Sequence, residues 1–315
     1  MRYSKFLILG GLGFIGRHVA RTLLAQGHTV RVFDRYAPNH HEAARIFNSL
    51  NGLEFATGDF TDKDTIYKAL IGCDACIHLV TTTLPATSNE DKLYDIQSNL
   101  VGTVQLLEAM RNQDIKKMIF LSSGGTVYGN PNYTPIDENH PTNPQSSYGI
   151  VKLAIEKYCQ LFNHLHGANT IILRLSNPYG PGQSGSGIQG AVPAFTAKAL
   201  AGQPIEIWGD GNIVRDYIHI DDVSRAIIDA TQYRGEETVF NIGNGVGTSL
   251  NDIIGFLRET LNKEVKVNYS NARSFDVSTN ILDISKAKKE LGWLPSIDFK
   301  YGINTVIDDF LGMDN

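Results

Sequence analysis

The first half of the chain alternates between short apolar runs and stretches in which apolar residues recur at helical spacing. Phe6-Leu-Ile-Leu9 ends at Gly10, and from Phe14 to Gln26 the apolar positions Ile15, Val19 and Leu23 follow a helical period before Gly27. A short apolar run closed by glycine predicts a buried strand, and the helical recurrence predicts an amphipathic helix. His28-Thr-Val-Arg-Val-Phe33 supplies a second strand that ends on Asp34, completing one strand-helix-strand unit. The same alternation predicts strands over 53–56, 75–80, 117–122 and 170–175, with helices over 61–71, 91–112 and 148–165. Repetition of this kind predicts an α/β fold, a doubly wound parallel sheet covered by helices on both faces.

After Asn177 the pattern loosens into a loop rich in Gly and Pro as far as Gly187. Mixed pieces follow: helices over 192–201, 223–232, 250–261 and 285–291, and short strands over 205–208 and 217–219. With no linker, charge block or repeat, the expectation is a first domain over 1–176 and a smaller mixed C-terminal substrate lobe over 177–315. That lobe packs on the sheet edge, with some chain crossing between the two. Ligands of such sheets bind beyond the carboxyl ends of the strands, which directs attention to the cleft between the lobes.

Composition narrows the partners. The 315 residues are 42% apolar and 19% charged, an ordinary globular balance, and a net charge of −5 offers no basic field to a nucleic acid or an anionic bilayer. No apolar run approaches the ~18 residues of a membrane span, and no signal segment precedes the first glycines, so the expected location is the cytoplasm. Cys73-Asp-Ala-Cys76 lacks the second half of a zinc site, and Ala75 to Val80 reads as a buried strand, so no metal is expected.

Gly10-Gly-Leu-Gly13-Phe-Ile-Gly16 joins the first strand to the first helix. Gly10 makes the turn, Gly13 lets backbone amides approach a pyrophosphate, and Gly16 lets the helix pack on the sheet, which together make a Rossmann-type dinucleotide site. Asp34 at the end of the second strand suits the ribose hydroxyls of NAD and repels a 2′-phosphate, although Arg35 beside it would tolerate one. Asp59, in Gly58-Asp59-Phe60, is placed to meet an adenine amine. Tyr148 and Lys152 stand four apart on one helix face, where an ammonium beside a phenol, aided by a cationic nicotinamide, favours the phenolate as a base.

These motifs occur in one order with Leu173-Arg-Leu-Ser-Asn-Pro-Tyr-Gly-Pro-Gly182 and Gly209-Asp-Gly-Asn-Ile-Val-Arg-Asp-Tyr-Ile-His219, across almost the whole chain. In that combination the sequence resembles the extended short-chain dehydrogenases/reductases, in the nucleotide-sugar branch of the NAD-dependent epimerase/dehydratase family. The resemblance implies that Tyr148 removes the proton of a sugar C4 hydroxyl while hydride passes to NAD, with Lys152 holding the nicotinamide ribose. On the cofactor side it implies Phe14, Ile15, Phe60, Leu79, Asn99 and Ser122. Around the substrate it implies Asn177, Arg215 and Arg273 at a diphosphate and Asp276 at a nucleotide ribose.

One position departs from the family pattern. Where relatives carry a Ser or Thr four residues before the Tyr of a Val-Tyr-Gly turn, this chain has Gly124, so the hydroxyl relay falls to Ser123 or Thr126, with Thr126 preferred, or Tyr148 acts directly. The stretch also lacks the Asp-Glu pair of the dehydratase relatives, which argues against water elimination. Counting from Arg273, Asn280 falls where 4-epimerases keep a gatekeeper against the C2 substituent, and its small size would admit an N-acetyl group. His219 and Trp293 read as structural, and His40-His41 as a solvated loop.

The expected function is an NAD-dependent 4-epimerase of a UDP-hexose or UDP-N-acetylhexosamine. A 4-ketosugar reductase and a silent NAD-binding protein are the rivals. The helices over 91–112 and 148–165 match the pair that builds a two-fold interface in this superfamily, so a homodimer is expected.

Overall fold

The computed structural model of the protein describes residues 4–48, 50–85, 87–185, 190–271 and 277–312. The first half alternates β1 (Lys5–Leu9), α1 (Phe14–Ala25), β2 (Thr29–Asp34), α2 (His40–Phe47), β3 (Leu53–Thr57), α3 (Lys63–Leu70) and β4 (Ala75–His78). Next, α4 (Lys92–Asp95) runs through a π-helical turn (Ile96–Val101) into α5 (Gly102–Asn112), and β5 (Lys117–Ser123), α6 (Ser147–His166) and β6 (Asn169–Leu175) follow. The second half contains β7 (Asn177–Tyr179), α7 (Ala191–Leu200), β8 (Ile205–Trp208), β9 (Val214–His219), α8 (Ile220–Gln232), β10 (Val239–Ile242) and β11 (Gly247–Ser249). It continues with α9 (Leu250–Leu261), β12 (Val267–Ser270), β13 (Thr279–Asn280) and α10 (Phe299–Leu311).

Seven strands form one parallel sheet in the order β3-β2-β1-β4-β5-β6-β10. The predicted doubly wound fold is therefore present, with its order reversing between β1 and β4, where such sheets open a crevice. Both faces are covered. Phe6 and Ile8 pack in one core with Val19 of α1 and Ile227 of α8, whereas Leu7 and Leu9 pack in the other with Leu106 of α5 and Ile155 of α6. A strand buried on both sides cannot alternate with polar residues, which is why β1 reads as an unbroken apolar run.

Two parts of the pattern fall out differently. β10 extends the sheet from deep within the C-terminal half, and α8 and Trp293 belong to the same core as α1, so the chain crosses between lobes well after residue 177. The strand escaped notice because Asn241 interrupts its apolar run; its side chain is buried and accepts the Tyr128 hydroxyl at 2.6 Å. His40 and His41 open a helix rather than sit in a loop, since Asn39 accepts the Glu42 amide at 3.0 Å and Ala43 and Phe47 are buried. The smaller lobe is centred on β9, which pairs with β7, β11 and β13, and β8 pairs with β12. Among the described residues, no helix is long and apolar enough to cross a membrane.

Candidate active site

The turn after β1 is built by its glycines. Gly10 has φ +81°, which an L side chain rarely adopts, and its amide donates to the Phe33 carbonyl at 2.9 Å. A Cβ on Gly16 would collide with the Gly10 carbonyl oxygen, so the start of α1 lies against the loop only because Gly16 has none. No side chain caps α1, which leaves its first amides and its positive dipole end to an anion. The Asp34 carboxylate accepts the Leu12 amide at 3.1 Å and the Arg35 amide at 2.9 Å, fixing it at the rim of that loop.

Gly10, Gly13, Asp34, Arg35, Asp59, Phe60 and Leu79 line a cavity of about 360 Å³. Asp59 accepts the Thr61 amide at 2.8 Å and hydroxyl at 2.7 Å, which hold its carboxyl below the usual carboxylate range. The Phe60 ring lies in the core, 5.0 Å from His78 between centroids. A glycine cradle that a Cβ would fill, with a carboxylate at the end of β2, fits the adenosine and pyrophosphate of NAD.

Tyr148 and Lys152, one turn apart on α6, line a second cavity of about 410 Å³ together with Ile15, Ser122, Ser123, Asn177 and Gln183. Lys152 Nζ donates to the Leu121 carbonyl at 2.9 Å and lies 4.8 Å from the Phe120 ring and 5.6 Å from the Tyr148 ring. Burial pulls Lys152 down to about 8, against the opposing charges of Glu156 and Asp95. Burial pushes Tyr148 up to about 12, and the Asp95 charge adds to the rise. The sequence reading pairs Lys152 with a cationic nicotinamide to favour the phenolate, and the surroundings of Tyr148 show why Lys152 alone does not suffice: burial and Asp95 both oppose loss of the phenol proton.

A buried network holds the start of α6. Asp95, fully enclosed, accepts the Ser147 hydroxyl at 2.7 Å, the Thr83 hydroxyl at 2.7 Å and Asn99 Nδ2 at 2.9 Å. The Tyr148 amide donates to Ser88 Oγ at 3.1 Å and the Ser147 amide to Asn89 Oδ1 at 2.9 Å. Asn99, expected on the cofactor side, is buried behind the 81–85 loop, where its Oδ1 accepts the Thr82 amide at 2.9 Å; it holds that loop and does not line the cavities. The Ser122 hydroxyl donates to Glu156 at 2.5 Å, and Glu156 is paired with Arg174 at 2.7 Å. Asp95 and Glu156 were missed from sequence. The four-residue spacings Asp95/Asn99 and Lys152/Glu156 were the available signal.

The structure explains Gly124. Its amide donates to the Leu175 carbonyl at 2.8 Å, and a Cβ would stand 2.6 Å from Leu282 Cδ1 and 3.2 Å from the Arg174 carbonyl oxygen. A serine or threonine here would require the Leu282 side chain to shift. Of the two replacement hydroxyls, Ser123 is brought to the Tyr148 cavity. Thr126 packs against Gly149 with its Oγ1 buried, without a partner among the described residues and outside the cavity lining, whereas the sequence reading prefers it to Ser123. Asn280 is 2% exposed and donates from Nδ2 to the Gly124 carbonyl at 3.3 Å. It lines neither this cavity nor those of Asp34 and Arg215, and it lies under the 123–126 loop.

Asn177, Pro178 and Gly190 are shared walls between the second cavity and a third of about 280 Å³ that also contains Trp208, Arg215 and Tyr217. Asn177 Nδ2 donates to the Asp216 carbonyl at 2.9 Å. Alternation along β9 sends Arg215 toward the cavity and Asp216 into the interior, where Asp216 accepts the Asn244 amide at 2.7 Å and the Gly245 amide at 3.1 Å. Trp208, half exposed on this wall, was not anticipated. His219 caps α8 and lies 3.1 Å from the Thr305 hydroxyl, in line with a structural role. Arg273 and Asp276 lie outside the described residues. Cys73, Cys76 and Cys159 are buried free thiols, and no cluster of three metal-ligating side chains occurs among the described residues.

A glycine cradle, a Tyr-Lys pair on the helix that follows β5, and an arginine-bearing cavity, joined by common walls, define a dinucleotide-dependent enzyme of the short-chain dehydrogenase/reductase type. The chain belongs to the NAD-dependent epimerase/dehydratase family, whose sequence pattern matches residues 6–243. It is 38% identical to a putative UDP-glucose 4-epimerase of Methanocaldococcus jannaschii over 96% of this chain and 97% of that one. It is 31% identical to a dTDP-4-dehydro-6-deoxyglucose reductase of Escherichia coli over 97% of both. The crystal structure of the UDP-glucose 4-epimerase of Thermotoga maritima with UDP-glucose superposes with a TM-score of 0.90 at 34% identity, covering 98% of this chain and 99% of that one.

Proposed function

We propose that the protein is an NAD-dependent 4-epimerase of a UDP-hexose or UDP-N-acetylhexosamine, acting as a homodimer in the cytoplasm. The observation that carries this reading is the continuity of three cavities. The Asp34 cavity shares Leu79 and Thr81 with the Tyr148 cavity, which shares Asn177, Pro178 and Gly190 with the Arg215 cavity. A dinucleotide in the first and a sugar nucleotide in the third would meet at Tyr148. Bound NAD supplies a hydride acceptor that later returns the hydride, so the cofactor ends as it began.

The chain's own residues do the rest. Arg215 offers paired, charge-assisted hydrogen bonds to the diphosphate. Tyr148 takes the C4 hydroxyl proton, with Ser123 as the relay, and gives a proton back to the C4 oxygen when hydride reaches the other face of the ring. Lys152, fixed on the Leu121 carbonyl, keeps a cation beside the phenol and within reach of a nicotinamide ribose. Asp34 disfavours the 2′-phosphate of NADP, which counts against a ketosugar reductase drawing on that cofactor. The test is mass spectrometry of the freshly purified, denatured protein for retained cofactor, then incubation with UDP-, dTDP- and GDP-sugars. Conversion of a UDP-sugar to its C4 epimer without added cofactor is the expected result. Turnover only of 4-keto sugars with a reduced dinucleotide would overturn it in favour of the reductase.

A homodimer is supported by an apolar stripe along α6 formed by Ile150, Tyr158, Leu161 and Leu165, at 56%, 39%, 44% and 59% exposure, with Leu93 and Val101 also exposed on the neighbouring helical run. Large exposed apolar side chains at one helical spacing mark a surface that another helix pair covers.

A further inference from the structure

We infer that Gln183 recognises the sugar, its side-chain amide oxygen accepting a hydrogen bond from a ring hydroxyl of the nucleotide-linked hexose; this rests on the function proposed above. Gln183 lines the cavity of Tyr148 and Lys152, and its Oε1 is enclosed without a hydrogen-bond partner among the described residues. Leaving a buried acceptor unmet costs about 1–3 kcal/mol, so the enclosed amide oxygen of this cavity-lining side chain calls for a donor.

The backbone just before Gln183 is tied down, and its side-chain amide rests against Gly190. The His18 ring nitrogen Nε2 lies 3.0 Å from the Pro181 carbonyl, the Gly182 amide donates to Asp309 at 2.7 Å, and the Arg17 guanidinium donates to the Gly182 carbonyl. On the far side, Gly190 has φ +87°, and a Cβ there would stand 2.9 Å from Gln183 Nε2, so the amide rests on a backbone that has no side chain to displace it.

Position selects the hexose over the cofactor. Gly190 is a wall of both the Tyr148 and Arg215 cavities, whereas the residues shared with the Asp34 cavity are Leu79 and Thr81. Between a diphosphate at Arg215 and a reacting C4 at Tyr148, the group that spans the interval is the sugar ring. A site built to bond a hydroxyl discriminates strongly against a sugar that lacks it, because the acceptor is then left unmet.

The experiment compares the full-length enzyme with Gln183→Met, close in volume but without the acceptor, and uses Gln183→Leu if Met lowers the melting temperature. The expected result is a KM for UDP-glucose raised about tenfold, with kcat changed less than about threefold, and with UDP affinity and retained NAD unaltered by calorimetry and mass spectrometry. A KM within twofold of the parent would overturn the inference, as would a loss of NAD (an amide serving the cofactor) or a parallel loss of UDP affinity (a loop collapse). If the parent itself turns over no UDP-sugar and binds UDP-glucose no better than UDP, the functional reading fails and takes this inference with it. An active parent beside an unchanged variant sinks the inference alone.

Discussion

Tyr148 is a phenol whose enclosure works against the charge it has to carry, since burial raises it to about 12 and the negative charge of Asp95 adds to the rise. Its usefulness as a base therefore depends on what is bound beside it, and Tyr148→Phe is expected to retain NAD and sugar nucleotide while turnover falls about a hundredfold or more. The relay can be separated from the base. Ser123 lines the same cavity and Thr126 does not, so Ser123→Ala is expected to lower kcat at least tenfold whereas Thr126→Val stays within about threefold. Steady-state kinetics on both variants decide it: equal and full activity would mean that no hydroxyl of this loop carries the proton.

The elements set the chemistry of the pair as much as the pair does. The start of α6 is fixed by Asp95 from the end of α4, and that carboxylate raises the protonation of both Tyr148 and Lys152. Asp95→Asn removes the negative charge, so both groups lose their protons at lower pH, and the bell-shaped profile of kcat/KM should move to lower pH as a whole. The same variant disrupts bonds to Ser147, Thr83 and Asn99, so its melting temperature should fall as well. A drop in melting temperature with an unmoved pH profile would show that Asp95 acts on packing alone. At the end of β2, Asp34 should make NAD bind at least tenfold more tightly than NADP, roughly 1.4 kcal/mol, measured by titration calorimetry; equal affinities would contradict that role.

For the molecule as a whole, the apolar stripe of α6 predicts association. Light scattering at micromolar concentration should give twice the chain mass, and Leu161→Arg combined with Leu165→Arg should give the single chain mass with the NAD site intact. A monomer in the parent protein would leave the stripe without the proposed partner. The two halves of the chain are tied together around the cavities. β10 and α8 from the C-terminal half complete the first sheet and its core, and the loop bearing Gln183 is held by Arg17 and His18 of α1 and Asp309 of α10. Sequence periodicity located most strands of the first sheet, yet the return of β10 was hidden by a buried Asn241 bonded to Tyr128.

What the sequence alone determined was local. The order of strands and helices follows from the spacing of apolar residues, the turn after β1 from the need for a positive φ at Gly10 and a missing Cβ at Gly16, and the Tyr148/Lys152 face from one turn of helix. Tertiary structure alone decided that Ser123 and not Thr126 lines the Tyr148 cavity, that Leu282 packs against Gly124, and that Asn280 bonds the Gly124 carbonyl beneath the 123–126 loop. Asn280 meets Gly124 across 156 positions, and Gly182 meets Asp309 across 127. Contacts between segments so far apart depend on how strands and loops pack, and that packing leaves no period along the chain to read.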